Sequence, residues 1–216
     1  MDDTLATDLQ RGCQALHLVL QECQLDRLLQ YLELLIKWNR AYNLTAVRDP
    51  AQMVSRHVLD SLVIAPYMTG QRLIDVGTGA GLPGVPMAIL FPDREFHLLD
   101  SNGKKTRFLF QVKTALGLDN MTVHHTRVES YRPDQRFDSV LSRAFASLQD
   151  MVAGCLHLLA PEGRFLAMKG TYPGPELEAV AAQCEITAVH TLQVPGLAEQ
   201  RHLVEMTPRA NARGEQ

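Results

Sequence analysis

The chain has 216 residues, 46% of them hydrophobic and 21% charged, which suits one large globular domain or one domain with an extension. A net charge of −3 argues against tight, indiscriminate binding to naked nucleic acid, which rests on many phosphate contacts. No apolar run approaches the ~20 residues of a membrane span, Met1-Asp2-Asp3 starts no signal-peptide pattern, and Cys13, Cys23, Cys155 and Cys184 form no C-x-x-C, so a cytoplasmic protein with reduced thiols, no zinc and no membrane contact is expected.

Residues 1–67 read as helical. A short helix is expected around Leu5 to Leu20, and Leu25, Leu28, Leu29, Leu32, Leu35 and Ile36 then mark one apolar face of a longer one. Trp38 and Tyr42, four residues apart, are expected in the core rather than stacked on a base. Pro50 opens a third helix with Met53, His57, Leu59, Leu62 and Val63 turned inward, and Pro66 and Gly70 end it. From Arg72 the pattern changes to strands at Arg72–Val76, Glu95–Leu99, Thr122–Arg127, Phe137–Ser142, Arg164–Met168, Glu185–Val194 and Gln200–Met206. Helices fit between them at Gly84–Phe91, Gly103–Leu116, Leu148–Leu159 and Pro175–Cys184. This order predicts an α/β fold: a seven-stranded, mostly parallel, Rossmann-like sheet over 68–208 with a terminal hairpin at Pro195-Gly196. Residues 1–67 are its helical extension, and 209–216, with Arg209, Arg213 and Gly214, a frayed tail.

Leu73 to Gly84 reads L-I-D-V-G-T-G-A-G-L-P-G, with four glycines in eight positions. So bare a backbone lets a ligand lie against peptide N–H groups. Asp75 would repel a phosphate and attract an ammonium, so D-x-G-x-G-x-G after a strand looks like the S-adenosylmethionine (SAM) loop of class I methyltransferases. Gly79, Gly81 and Gly84 also spell the dinucleotide pattern G-x-G-x-x-G, but Pro83 and Pro86 remove N–H groups that a pyrophosphate needs. An NAD-dependent oxidoreductase remains an alternative, as does a non-catalytic assembly factor that keeps the fold.

Ligands in such sheets sit beyond the strands' carboxyl ends. There the chain places Asp75 and Gly77, then Asp100, suited to both hydroxyls of a ribose, then Arg127-Val128-Glu129 beside an adenine, Ser142-Arg143-Ala144 beside the reacting group, and Lys169-Gly170. Arg143 offers a planar donor fork for a guanine edge, a phosphate or a carboxylate; a structural partner for it would be Asp138 or Asp150. Lys104, Lys105 and Arg107 oppose the dipole of the helix they open, and Arg56 and His57 form a second basic set with Arg40 and Arg48. The pair His124-His125 is expected to be structural, since neighbours on a strand face opposite ways.

At these residues the chain resembles the bacterial ribosomal methyltransferase family RsmG, also called glucose-inhibited division protein B. The resemblance is carried by W-N-R-A-Y-N-L-T-A at Trp38–Ala46, R-H-V-L-D-S-L at Arg56–Leu62 and the glycine loop, then by L-L-D-S-N-G-K-K-T-R-F-L at Leu98–Leu109, S-R-A-F-A-S-L at Ser142–Leu148 and M-K-G at Met168–Gly170. It implies methyl transfer from SAM to nitrogen 7 of the guanine numbered 527 in 16S rRNA, within the small ribosomal subunit. It further implies that Asp75, Gly77, Gly79, Gly81 and Leu82 line the cofactor, Asp100 holds its ribose, and Val128 and Glu129 hold its adenine. Arg143 would lie by the methyl group or the substrate, without any general base. Lys104, Lys105, Arg107, Lys169, Arg56 and His57 are the candidates for RNA, and a monomer is expected, since no dimer signature is visible.

Overall fold

The computed structural model describes residues 3–210. Two helices, α1 (Asp3–Ala15) and α2 (Glu22–Tyr42), open the chain. Leu28, Leu32 and Leu35 of α2 are fully buried, each such burial being worth about 1.5–3 kcal/mol. The helix stops where Asn43 turns left-handed (φ 50°) and its N–H bonds back to Asn39. The helix expected from Pro50 is three segments: α3 (Pro50–Met53), a π-helical stretch over Val54–Leu59, and α4 (Asp60–Leu62). Met53, His57, Leu59, Leu62 and Val63 are all buried, as their spacing requires.

The sheet follows: β1 (Arg72–Val76), α5 (Gly84–Leu90), β2 (Glu95–Asp100), α6 (Gly103–Leu116), β3 (Met121–His125), β4 (Phe137–Ser142), α7 (Leu148–Cys155), β5 (Leu159–Lys169), α8 (Gly174–Val180), β6 (Cys184–Leu192) and β7 (Arg201–Pro208). Its order is β3-β2-β1-β4-β5-β7-β6, with β7 antiparallel to both neighbours and the rest parallel, as expected of a class I methyltransferase sheet. Several boundaries move. β3 ends at His125 because a 3₁₀ turn begins at Val128, and α7 ends at Cys155 because β5 already pairs from Leu159. Arg209 is not frayed: its N–H bonds Gln183 O at 2.9 Å and its Nε bonds Ala181 O at 2.9 Å. Arg213 and Gly214 lie outside the described residues.

Alternate strand residues face two cores. Leu73, Phe96, Leu98 and Leu203 pack with α1, α2, α5 and α6; Ile74, Leu99, Val140 and Val204 pack with α7. The first core runs unbroken from Leu9 of α1 to the sheet, so the amino-terminal helices and the sheet share one hydrophobic interior. Trp38 packs against Phe108 with its ring tilted (5.7 Å between ring centres), while Tyr42, expected in the core, is 46% exposed because α2 ends at it. Among the described residues, no helix is long and apolar enough to cross a membrane.

His124 lies inward and His125 outward, as expected. His97 Nδ1 and His124 Nε2 are 2.8 Å apart, their rings nearly parallel, with Tyr131 Oη 3.2 Å from His124. Burial, with Arg72 nearby, pushes His97 down to about 3 and also lowers His124. Above pH ~6.5 both rings are neutral folded or unfolded; below it the unfolded chain takes protons that the fold refuses, so stability falls as pH drops from 6.5 towards about 3. The unfolding free energy from urea titration should therefore lose a contribution of roughly 1 kcal/mol from His97 between pH 7.5 and 5.5, and that loss should be absent in His97→Gln. The same pH dependence in His97→Gln as in the wild type would show that the fold does not hold this ring neutral.

Candidate active site

The glycine loop leaves β1 at Val76 and is tied at once to β2: the N–H groups of Gly77 and Thr78 both donate to Leu99 O, at 2.8 and 3.2 Å. Gly77 has φ +69°, and a Cβ there would stand 2.7 Å from Ala144 Cβ, so only glycine leaves the opening free. Gly81, at φ +91°, faces Val85 and Leu109 so closely that any side chain would collide with both. Asp75 is 1% exposed, and its Oδ2 accepts from Thr78 Oγ1 (2.7 Å) and Gly84 N (2.8 Å), closing the loop. Burial raises its carboxyl to about 6, and Oδ1 is buried without a hydrogen-bond partner. Asp75, expected among the residues that line a cofactor, thus lies beneath the loop and borders none of the three cavities along the carboxyl edge of the sheet. From α2, Tyr31 Oη donates to Ala80 O at 2.8 Å, fixing the loop's crest.

Asp100 closes β2 with 6% exposure. Gly79 N donates to its Oδ2 (2.9 Å) and Asn102 N to its Oδ1 (2.8 Å), which fixes the carboxylate yet leaves each oxygen a lone pair for a hydroxyl. Beside it lies a cavity of about 310 Å³ whose walls include Asp100, Lys105, Val128, Glu129 and Phe145. Gly77 and Ala144 also line the next cavity, of about 210 Å³, with Thr45, Gly79, Leu82 and Arg143. Arg143 in turn lines a third, of about 380 Å³, with Arg56, His57, Asp60, Lys169 and Arg201. The three compartments run in sequence along the carboxyl edge of the sheet. The first suits a nucleoside, with an acid for its ribose and Val128 and Phe145 for its base; the second offers loop backbone and Arg143 to a small charged group.

Each basic candidate has a definite place. Lys104 and Arg107 are exposed on α6, whereas Lys105 turns back into the first cavity, 3.9 Å from Asp100. Lys169 holds Glu176 at 2.8 Å and the carbonyl of Ala146 at 3.2 Å, and Arg56 holds Glu199 at 3.4 Å. His57 does not belong to a cationic set. Its Nδ1 lies 2.9 Å from the Arg56 carbonyl, which only an N–H can satisfy, so its Nε2 accepts from Thr45 Oγ1 at 2.8 Å. Burial and the nearby Arg143 push it down to about 4, leaving it neutral near pH 7. The structural partner of Arg143 is neither Asp138, which caps the N–H groups of Gln71 and Arg72, nor Asp150, which bonds Ser147; it is Asp60, at 2.8 Å. Sequence reasoning also missed Tyr31, Thr45, Phe145 and Arg201, because each enters the site from an element whose neighbours only packing decides. Among the described residues no group of three His, Cys, Asp or Glu side chains could hold a metal ion.

Comparison with known proteins agrees with this geometry. The family model GidB, described as rRNA small subunit methyltransferase G, matches residues 24–204. The chain is 56% identical over 201 residues to the "Ribosomal RNA small subunit methyltransferase G" of Ectopseudomonas mendocina, covering 92% of this chain and 94% of the relative. It is 51% identical over 206 residues to the protein of the same name from Hahella chejuensis, covering 95% of each. Among solved structures it is similar in fold to the ribosomal protein L11 methylase of Lactobacillus delbrueckii subsp. bulgaricus (TM-score 0.55, 17% identity, 70% of this chain and 77% of that one). It is likewise similar to the glycopeptide N-methyltransferase MtfA in complex with S-adenosyl-L-homocysteine (TM-score 0.60, 13% identity, 70% and 90%). These matches and the antiparallel β7 overturn the dinucleotide-dehydrogenase alternative. The chain belongs to the GidB family, rRNA small subunit methyltransferase G, enzymes that take their methyl group from S-adenosylmethionine.

Proposed function

We propose that this protein methylates nitrogen 7 of the guanine numbered 527 in 16S rRNA, acting in the cytoplasm as a monomer on the small ribosomal subunit. The carrying observation is the set of titratable groups around Arg143. His57 has its lone pair engaged by Thr45 and sits at about 4, and both oxygens of Asp60 are held by arginines. Neither is a free proton acceptor. Guanine nitrogen 7 carries a lone pair and no proton, so its methylation needs none. Bound in the first two cavities, SAM supplies an electrophilic sulfonium methyl group. Asp100 would accept from its ribose, Val128 and Glu129 would border its adenine, and Gly77, Gly79 and Leu82 would leave room for its amino-acid end, while Gly81, turned towards Val85 and Leu109, lines neither cavity and shapes the loop. Arg143 orients the group that meets the methyl, so that the rate comes from alignment, worth up to about 7–11 kcal/mol. The acidic net charge supports recognition of a folded particle over bare RNA, with the exposed Lys104 and Arg107 available for phosphates and Arg56 held by Glu199.

Labelled methyl from SAM should appear as 7-methylguanine on small subunits from a strain lacking this enzyme. Label on protein-free rRNA alone would keep the chemistry and refute particle recognition. Asp100→Asn should weaken SAM by ~1.5–3 kcal/mol, the worth of hydrogen bonds to a charged group, in a calorimetric titration; unchanged affinity would remove Asp100 from the ribose site. The single-turnover rate at saturating SAM should be flat from about pH 7 to 9, since no base titrates. SAM affinity should instead fall as pH drops through about 6, where Asp75 protonates and its favourable field on a cation is lost. A steep limb near neutrality in the transfer rate itself would overturn the absence of a base.

A further inference from the structure

We propose that Asp60 is a positioning residue for methyl transfer: it sets Arg143 and Arg201 as a two-guanidinium clamp on the phosphate of the target nucleotide in the third cavity. The inference rests on the methyl-transfer reading above and assigns that reading its substrate pocket. Asp60 is 3% exposed. Its Oδ2 accepts from Arg143 Nη1 at 2.8 Å and its Oδ1 from Arg201 Nε at 3.1 Å. The three residues come from α4, the turn after β4 and the start of β7, separated by 83 and 141 positions, and they meet at the mouth of the sheet. The π-helical stretch Val54–Leu59 immediately precedes Asp60; such widened turns recur at functional sites. Ser61 Oγ, bonded to His57 O at 2.7 Å, braces the turn.

Charge indicates what the cavity takes. Arg56 and Lys169 have partners of their own in Glu199 and Glu176, and His57 is neutral. Two guanidinium groups then share one carboxylate, leaving a positive charge. A guanidinium has five N–H donors. Asp60 takes one from each arginine and Gln200 O takes one more from Arg201, so both forks keep donors, and both side chains are partly open to the cavity, at 30% and 20% exposure. Its volume of about 380 Å³ falls in the range of small-ligand pockets. The clamp cannot serve the nitrogen 7 and oxygen 6 edge of guanine as a pair, because a hydrogen bond to nitrogen 7 would occupy the lone pair that must receive the methyl. A phosphate meets both forks without touching that atom. Without Asp60 the two arginines would repel each other, and Arg143, which borders the second cavity as well as the third, would lose its fixed direction.

The test is a double-mutant cycle in single-turnover methyl transfer to saturating, unmethylated small subunits. Asp60→Asn should leave SAM affinity within about twofold and slow transfer by about tenfold or more, the scale of a misplaced reacting group. Asp60→Asn combined with Arg143→Gln should lose clearly less than the two single losses multiplied, because Asp60 acts in part through Arg143, the remainder being its hold on Arg201. A rate for Asp60→Asn within twofold of wild type, losses that multiply in the double variant, or a SAM affinity that falls in step with the rate would each overturn the proposal. Should Asp60→Asn not fold, Arg201→Gln, which keeps the Asp60–Arg143 pair, carries the test. It should raise KM for subunits and lower the salt slope of their binding by about one phosphate contact; an unchanged KM and slope overturn the clamp. Wild-type protein that labels no subunits would sink the methyl-transfer reading, and the clamp with it. Wild-type labelling with an equally active Asp60→Asn sinks the clamp alone.

Discussion

One oxygen of a buried carboxylate holds the site together. Asp75 Oδ2 accepts from Thr78 at the start of the glycine loop and from Gly84 at its end, so the loop closes on the strand that launches it. Ionised, it is costly to bury, and its carboxyl rises to about 6 for that reason. Two charged-acceptor hydrogen bonds offset part of that cost. What is left is an anionic field beneath a bare backbone, with the neighbouring Asp100 also fastened to the loop through Gly79.

The amino-terminal helices are part of this site as well as of the hydrophobic core. Tyr31 reaches the loop's crest, Thr45 borders the second cavity while engaging His57, and Asp60 ties the two arginines of the third. Sharing one interior with the sheet fixes these side chains relative to the strand ends. For the proposed methylation of guanine nitrogen 7, an atom with no proton to lose, rigid placement would matter more than acid–base strength. That logic also accounts for a histidine kept neutral and bonded on both ring nitrogens, at the very place where a base would stand in an enzyme that removed a proton.

Charge is handled in the same local fashion. The chain as a whole is acidic, but positive groups collect around the third cavity, and several are already balanced by Glu176 and Glu199. A protein so arranged has little long-range pull on bare RNA. On the proposed reading it would discriminate instead by offering a small number of fixed donors to a nucleotide that a folded particle presents.

By itself the sequence determined what depends on short-range rules. Alternation and 3.6-residue spacing marked the strands and helices to within a few residues, four glycines marked a backbone that must be bare, and the topology rule for open sheets placed Asp100 and Arg143 at the ligand edge. Tertiary structure alone decided partners. Arg143 turned to Asp60, 83 positions away, rather than to the nearer Asp138 or Asp150; His57 went neutral because packing buried it beside Arg143 and Thr45; Asp75 was buried beneath its loop by its bonds to Thr78 and Gly84. Local patterns are set by the backbone's own period, which any short window of sequence displays. Side-chain pairing and the ionisation that follows from it depend on which distant elements pack together, and that is settled only when the whole core closes.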